Sequence, residues 1–208
     1  DEAAHETEQA CRLLEHAPGA ARALALTALA RMKLACRDTA GSVSVGRTTL
    51  SLLRQSLGPD DPRLAPSLFA LSFGEYESRN FAEAEALCLE ARDLWEKQKG
   101  PESLEVSTCL NNLGRICEET GRPDEGIALH RAALDIRRKV LGDHPETAFS
   151  MGNLGTALAS AGRWREAADM LEQAIACYAR CGHTGGNDIE GYRRNLEVCR
   201  SALAREHA

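Results

Sequence analysis

Residues 109–137 read CLNNLGRICEETGRPDEGIALHRAALDIR, and this stretch decides the fold because the chain contains more than one copy of it. Residues 67–95 read SLFALSFGEYESRNFAEAEALCLEARDLW, 42 residues earlier, and residues 150–178 read SMGNLGTALASAGRWREAADMLEQAIACY, 41 residues later. A self-similar period of this length is typical of solenoids, in which each copy packs on its neighbours. The repeat therefore predicts stacked units rather than one globular core.

Each copy has the pattern of two helices joined by a tight turn. In residues 109–137, Leu110, Leu113 and Cys117 follow an i, i+3, i+7 spacing, which places them on one face of a first helix. Gly121 is suited to ending that helix, and Pro123 is tolerated in the first turn of the next one. The copy is therefore predicted to be a helical hairpin.

The neighbouring copies repeat the turn and a position of close approach. Gly162 stands where Gly121 stands one copy earlier, and Asn80 or Arg79 takes that place in the copy before. The small residues Gly114 and Gly155 fall where two helices of a pair must come close together. A larger side chain there would push the two backbones apart.

We predict an all-α chain of about four helix pairs with a flanking helix at each end, forming a single repeat domain over residues 1–208. The predicted elements are an N-terminal helix (2–16), a degenerate first pair (19–57), three further pairs (62–99, 102–141 and 145–182) and a capping helix (188–206). We find no domain boundary along the chain.

Composition excludes several classes of function. The net charge is −6 and no large basic block occurs, which argues against a nucleic-acid partner. No apolar run approaches the roughly 18 residues that a membrane span needs. Among the eight cysteines, Cys88 and Cys117 sit on apolar helix stripes, which favours reduced thiols and a cytoplasmic setting. The chain begins at Asp1 rather than Met, which raises an excised piece of a longer protein as an alternative.

The repeats resemble tetratricopeptide repeats. The Leu110-x-x-Leu113-Gly114 core carries the match, and the period near 42 with the Leu-Gly-Asp-His-Pro linker at 141–145 resembles the kinesin-light-chain type, which is widespread in bacterial proteins. The resemblance covers roughly residues 23–182, although Ser72 replaces the glycine found at 114 and 155. It implies a right-handed superhelix (a tetratricopeptide solenoid) whose first helices line the concave side. It does not name a partner, because this scaffold serves many unrelated ones.

Asn112, Asn153 and Asn195 occupy equivalent places at spacings of 41 and 42 residues, one on each successive first helix. Asparagine offers both a donor and an acceptor, so such a row could hold a peptide backbone without reading its side chains. In the resembled family, asparagines at this place bind extended peptides. The alternative is that these amides bond between neighbouring helices and lock the stack.

Other residues are predicted to surround this row. The predicted peptide-binding groove also contains Asn111, Arg115, Thr156 and Arg194. Further upstream, Phe69, Phe73 and Tyr76 replace the polar groove residues. They suggest an apolar pocket for a ligand side chain or for the N-terminal helix itself, and ordinary packing remains an equal alternative.

Cys177, Cys181 and His183 form a C-x-x-x-C-x-H cluster, to which Cys199 could add a fourth zinc ligand. No paired C-x-x-C element accompanies it, and both helical cysteines lie where the repeat needs small apolar residues. We therefore predict no metal, no cofactor and no catalytic nucleophile here.

The sequence favours a non-catalytic scaffold that binds a peptide segment of a protein partner in its groove. Two alternatives stay open. One is a structural module that self-associates into a homo-oligomer. The other is a regulatory domain excised from a larger signalling protein or enzyme.

Overall fold

A computed structural model describes residues 19–183 and 186–206, and every regular element in these ranges is helical. The helices are α1 (Gly19–Ala35), α2 (Thr39–Leu57), α3 (Ala65–Glu77), α4 (Phe81–Lys99), α5 (Leu104–Glu119), α6 (Pro123–Leu141), α7 (Pro145–Ser160), α8 (Trp164–Arg180) and α9 (Asn187–Glu206), with a 3₁₀ turn at Pro62–Leu64. The all-α prediction is confirmed. The helix predicted over residues 2–16 lies outside the described residues.

The chain divides into two compact units, the first ending at Gly100 and the second beginning at Pro101. Unit 1 contains the pairs α1–α2 and α3–α4, and α2 packs on α3. Unit 2 contains the pairs α5–α6 and α7–α8, with α6 packed on α7 and α9 packed on both α7 and α8. Each unit is therefore built from consecutive helical hairpins. A single repeat domain over the whole chain stays a prediction.

The turn inside each pair uses a residue in the left-handed region of backbone space. In unit 2 this residue is Gly121 (φ 77°) or Gly162 (φ 74°), as the sequence pattern indicates. In unit 1 the same positions hold Arg37 (φ 62°) and Arg79 (φ 61°). Because a Cβ atom makes this conformation costly, unit 1 carries backbone strain that unit 2 avoids.

The predicted close approach of helices is observed in unit 2. A Cβ atom added to Gly114 would lie 2.7 Å from the His130 ring, and one added to Gly155 would lie 2.7 Å from Leu171 Cγ. In unit 1 a side chain is accommodated at the equivalent position, where the buried Ser72 donates a hydrogen bond to the Ala84 carbonyl at 2.7 Å. The glycines are thus required by the larger side chains that face them.

Helix α9 aligns with the first helices of the repeats and differs from them on one face. Ile189, Tyr192, Leu196 and Cys199 of α9 are buried. The other face presents charged, exposed side chains at Glu190, Arg193, Glu197 and Arg200. The positions 42 residues earlier in α7 are all buried: Ala148, Met151, Gly155 and Leu158. Helix α9 therefore has a charged face where α7 has an apolar one.

Candidate peptide-binding face and its supporting network

The three asparagines at equivalent places, Asn112, Asn153 and Asn195, lie on α5, α7 and α9 of unit 2. We call them the asparagine row. Each is half-buried, between the buried core positions of its helix and the exposed ones. Their amides are therefore neither locked entirely in the core nor fully solvated.

Two members of the asparagine row have different hydrogen-bond environments. Asn195 Nδ2 donates to Thr156 Oγ1 at 3.1 Å, which joins α9 to α7 as the stack-locking alternative requires. Asn153 Nδ2 is buried and has no hydrogen-bond partner, the one such side-chain nitrogen or oxygen within the described ranges. An unsatisfied buried donor costs about 1–3 kcal/mol.

Asn111 immediately precedes Asn112 in the sequence, but its side chain is buried between helices. It is only 3% exposed. Its Nδ2 donates to Ser150 Oγ at 2.8 Å, and its Oδ1 lies 2.9 Å from His130 Nδ1. Both ends of the amide are thus occupied by neighbouring helices, and the structure does not bring Asn111 to the surface with Asn112.

The remaining predicted groove residues lie on the same three helices. Arg115 on α5 and Thr156 on α7 are half-buried and equivalent by the repeat, whereas Arg194 on α9 is exposed. Thr156 is already the acceptor for Asn195. The face thus combines amide, hydroxyl and guanidinium groups.

Sequence reasoning missed a buried arginine behind this face. Arg137 of α6 is 4% exposed, and burial lowers the pKa of its guanidinium. It donates to Ser107 Oγ at 3.1 Å, to Thr108 Oγ1 at 3.1 Å, and to both Ser150 Oγ and the Glu146 carbonyl at 2.9 and 3.1 Å. An arginine side chain stays protonated in proteins, so these acceptors stabilise a buried charge.

Arg137 is joined through Ser150 to Asn111 and then to His130, whose Nε2 lies 2.8 Å from Glu118 Oε1. We call this set the polar network. Its members are Ser107, Thr108, Asn111, Glu118, His130, Arg137 and Ser150. A signal was present in the sequence, because Arg137 stands where the neighbouring copies have Trp95 and Tyr178.

The predicted apolar pocket lies in unit 1 as a cavity of about 610 Å³ between α1 and α3. Phe69 and Phe73 line it together with Thr27, Ala30 and Leu34 of α1, and with Trp95, whose ring centroid is 5.6 Å from that of Phe69. Tyr76 is not among the lining residues. Its ring packs instead against Phe73 and Phe81, with centroids 6.5 and 5.7 Å away.

A family model of the tetratricopeptide repeat matches residues 71–125 and 116–180, which together exceed half of the 208 residues. The chain belongs to the tetratricopeptide repeat family. Its repeats are of the kind that generally serve as protein-interaction scaffolds without a catalytic group of their own. No curated protein matches the chain.

Solved structures with a similar fold include a putative kinesin light chain. BtubC (BKLC) from P. vanneervenii is 23% identical with a TM-score of 0.79, covering 98% of this chain and 82% of that one. A putative kinesin light chain from Podosopora anserina with nearly identical TPR-like repeats is 20% identical with a TM-score of 0.75, covering 89% of each chain. The apo form of RapI is 12% identical with a TM-score of 0.76, covering 97% of this chain and 54% of that one. At these identities the likeness establishes the fold of the tetratricopeptide chain and nothing further.

The cysteine cluster of this tetratricopeptide chain is spread between core and surface. Cys177 and Cys199 are buried, Cys181 is half-buried and His183 is exposed. Burial raises the pKa of the Cys177 thiol, which disfavours the thiolate that a nucleophile or zinc ligand needs. Within residues 19–183 and 186–206, no three His, Cys, Asp or Glu side chains are arranged to hold a metal ion.

No helix within the described ranges is both long enough and apolar enough to cross a bilayer.

Proposed function

We propose that the chain is a non-catalytic scaffold whose unit 2 binds an extended segment of a protein partner along α5, α7 and α9. The asparagine row provides one amide per first helix, and each amide can both donate to and accept from a peptide backbone. Successive first helices repeat at a regular interval, so the amides meet a ligand main chain at regular intervals as well.

The observation that carries this proposal is the unpartnered Asn153 Nδ2. Asn195, at the equivalent place, has satisfied its amide through Thr156 at 3.1 Å, whereas the equivalent neighbour of Asn153 is Arg115, which brings only donors. Nδ2 is shielded from solvent, so a carbonyl oxygen from a bound chain would complete the missing hydrogen bond once the Asn153 amide turns toward the groove. Since the row is set on helices, the side chain of Asn153 rather than the backbone would reorient when that bond forms.

The basic side chains near the asparagine row indicate the charge that we expect in the partner segment. Arg115 and Arg194 flank the asparagines on α5 and α9, and a guanidinium can pair with a carboxylate in bidentate fashion. We propose that the bound segment is extended and carries at least one acidic group. A run of lysines and arginines as in a carboxylate clamp does not occur on these helices, so an acidic C-terminal tail is not the expected ligand.

The test is selection of binders from a displayed library of random peptides, carried out with the full chain. We expect an enriched set of peptides whose binding, measured by fluorescence anisotropy, is weakened at least tenfold by Asn112→Ala with Asn153→Ala. Ser160→Ala, an exposed substitution on the same α7, is the matched control and should leave binding unchanged. If the double variant binds every enriched peptide as tightly as the parent, the groove assignment is wrong.

Self-association is the alternative function, and the structure offers it little support at α9. The face of Glu190, Arg193, Glu197 and Arg200 is charged, and Val198, which is 57% exposed, is the large apolar side chain that this described helix leaves uncovered. Light scattering at high concentration tests this alternative, for which a homo-oligomer is the expected result and a monomer the contradictory one.

We propose a cellular location for the protein from the way it uses its cysteines. Cys88 and Cys117 are fully buried on helix stripes, where they pack as small hydrophobic residues and need no disulfide. A cytoplasmic location in a bacterial cell is consistent with that use of cysteine. Expression with a fluorescent tag and fractionation of the host cell would check the location.

A further inference from the structure

The contact between α7 and α9 in unit 2 is filled by two tyrosine rings. Tyr192 of α9 lies over Gly152 of α7, where an added Cβ atom would clash with the ring. Tyr178 of α8 lies beside it, with the ring centroids 6.4 Å apart and the ring planes inclined by 24°. Both tyrosines are buried. Two aromatic rings therefore close this contact between successive first helices.

The contact between α1 and α3 in unit 1 has the same plan without the rings. By the repeat, the places of Gly152, Tyr178 and Tyr192 are taken there by Thr27, Leu53 and Ser67, in that order. Thr27 Oγ1 and Ser67 Oγ lie 3.1 Å apart and share a hydrogen bond. All three residues line one cavity of about 390 Å³. We call it the junction cavity, and it lies where unit 2 has its pair of rings.

We propose that the junction cavity is a binding site for a small phenol that carries a negative charge, a ligand independent of the peptide segment proposed for unit 2. Its ring takes the place in unit 1 that the Tyr192 ring takes in unit 2. Trp95 and Pro66 form part of the wall, and the lining is mostly apolar with a few polar groups, as is usual for sites of this volume. An aromatic ring buried against such a wall removes a large apolar area from water.

The tyrosine of unit 2 also indicates where the hydroxyl of the ligand finds its partner. The Tyr192 hydroxyl donates to the Phe149 carbonyl over 3.5 Å. Pro66 stands at the equivalent place in α3 and belongs to the wall of the junction cavity. A phenol in the same pose donates to the Pro66 carbonyl. Because a buried phenol hydroxyl needs a hydrogen-bond partner, this carbonyl favours a phenol over a plain hydrocarbon ring.

The charges on the wall of the junction cavity set the sign of the ligand. Arg63 and Lys99 are the charged side chains among the described residues that line it, and both are basic. Arg63 is exposed and pairs with Asp61, its Nη2 lying 2.7 Å from Oδ2, so part of its charge is offset. Lys99 is exposed at the end of α4. An anionic group at this edge is attracted and a cationic group is repelled, by a modest amount because the edge is in contact with water.

The test is titration of the full chain with 4-hydroxyphenylacetate in a calorimeter. The location is read from Trp95 fluorescence in a Trp164→Phe background, excited where phenols do not absorb, because the chain has two tryptophans and Trp95 lines the cavity. We expect saturable binding with the same dissociation constant in both measurements. Absence of saturable binding would overturn the proposal, and it is the result expected if residues 1–18 fill the cavity instead.

Two related molecules separate the contributions of the charge and of the hydroxyl. Tyramine keeps the phenol but is a cation, and it should bind about threefold more weakly than 4-hydroxyphenylacetate, or weaker still. Phenylacetate keeps the charge but lacks the hydroxyl, and it should also bind more weakly because the Pro66 carbonyl is left without a donor from the ligand. If either molecule bound as tightly as 4-hydroxyphenylacetate, the ligand assignment would be wrong.

A variant that fills the junction cavity tests the site itself. Ser67→Tyr with Thr27→Gly recreates the arrangement of the α7–α9 contact, so it should abolish binding while circular dichroism shows a folded chain. Ser51→Tyr adds the same ring at an exposed place on α2 outside the cavity wall and should leave binding unchanged. Lys99→Glu, at an exposed position, should weaken 4-hydroxyphenylacetate and strengthen tyramine without filling the cavity. Undiminished binding by the filled variant, or an unchanged preference in Lys99→Glu, would contradict the proposal.

Discussion

The α3–α4 pair of unit 1 and the α5–α6 pair of unit 2 have the same backbone plan and opposite interior chemistry. Phe69 and Trp95 pack ring against ring in unit 1, with centroids 5.6 Å apart. The equivalent positions, 42 residues later, hold Asn111 and Arg137, both buried and both hydrogen-bonded. The repeat therefore fixes where helices meet but leaves open what holds them together.

This difference determines how each unit should respond to change. Apolar contacts weaken in proportion to the area and volume removed, and the surrounding side chains can relax into the space. A buried polar network responds differently, because removing one member leaves its partners desolvated and unsatisfied. Unit 1 also buries a hydrogen-bonded carboxylate at Glu75, but its contact between positions 69 and 95 is apolar. Positions 111 and 137 of unit 2 should thus be more sensitive to the loss of polar groups, and the predictions below probe that contrast.

Arg137→Ala should have the largest effect. It removes four donors at once from Ser107, Thr108, Ser150 and the Glu146 carbonyl, and we expect unit 2 to lose about 3–5 kcal/mol of its free energy of unfolding. Urea denaturation of a Trp95→Phe background measures this, because Trp164 then reports on unit 2 alone.

Arg138→Ala is the matched control for Arg137→Ala, since Arg138 is exposed and its guanidinium donates to Gln173 Oε1 at 3.0 Å. It should change stability by no more than about 0.5 kcal/mol. Arg137→Met tests the alternative explanation. If methionine restored most of the lost stability, the length of the side chain rather than its donors would hold the helices.

Gly114→Ala should come next in size. The added Cβ would lie 2.7 Å from the His130 ring, which is fixed on both sides by Glu118 and Asn111 and cannot move away. Overpacking of this kind costs about 1–3 kcal/mol. Ser72→Ala is the counterpart in unit 1, where a Cβ is already accommodated. It should lose only the hydrogen bond to Ala84, about 1 kcal/mol, and a smaller loss for Gly114→Ala than for Ser72→Ala would contradict the contrast.

Replacing the left-handed arginines of unit 1 by glycine should stabilise that unit. Arg37→Gly and Arg79→Gly remove a Cβ from backbone at φ 62° and 61°, and each should add about 0.5–1 kcal/mol to the free energy of unfolding. Arg79 should gain less, because its guanidinium lies 5.2 Å from the Phe81 ring centroid and that contact would be lost. Thermal unfolding monitored by Trp95 fluorescence in a Trp164→Phe background checks both variants. Gly121→Ala, monitored by Trp164 in the Trp95→Phe background, should have the opposite sign.

The helical hairpins were predicted well from the sequence because the repeat recurs and because Gly121 and Gly162 mark the turns between its helices. It predicted less of the candidate site. Asn111 and Asn112 are adjacent in one motif, yet one is buried and the other half-buried, and periodicity alone does not locate the boundary between core and face. The polar network was not predicted because its members belong to three helices. Only the packing of α5, α6 and α7 brings Asn111, His130 and Ser150 together.

The effect that is smallest at neutral pH should appear in alkali in unit 2, where two tyrosines occupy buried positions. Burial raises the pKa of Tyr178 to about 12 and also raises that of Tyr192. The unfolded chain releases its phenol protons near pH 10. Because the folded-state pKa is raised, the contribution of Tyr178 is fully present below about pH 10 and is lost as pH rises toward about 12, with no change near neutrality.

Trp95 of unit 1 occupies the position equivalent to Tyr178 and has no phenol proton to release. Tyr178→Phe should therefore flatten the alkaline loss of stability seen by Trp164 fluorescence, while Tyr76→Phe in unit 1 should not. Absorbance titration of tyrosinate provides the direct reading, with Tyr178 and Tyr192 ionising only as the protein unfolds. If both phenols ionised in the folded protein at their ordinary pH, the interior of unit 2 would be open to water. The contrast between the apolar contact of Phe69 with Trp95 and the closed polar interior of unit 2 would then fail.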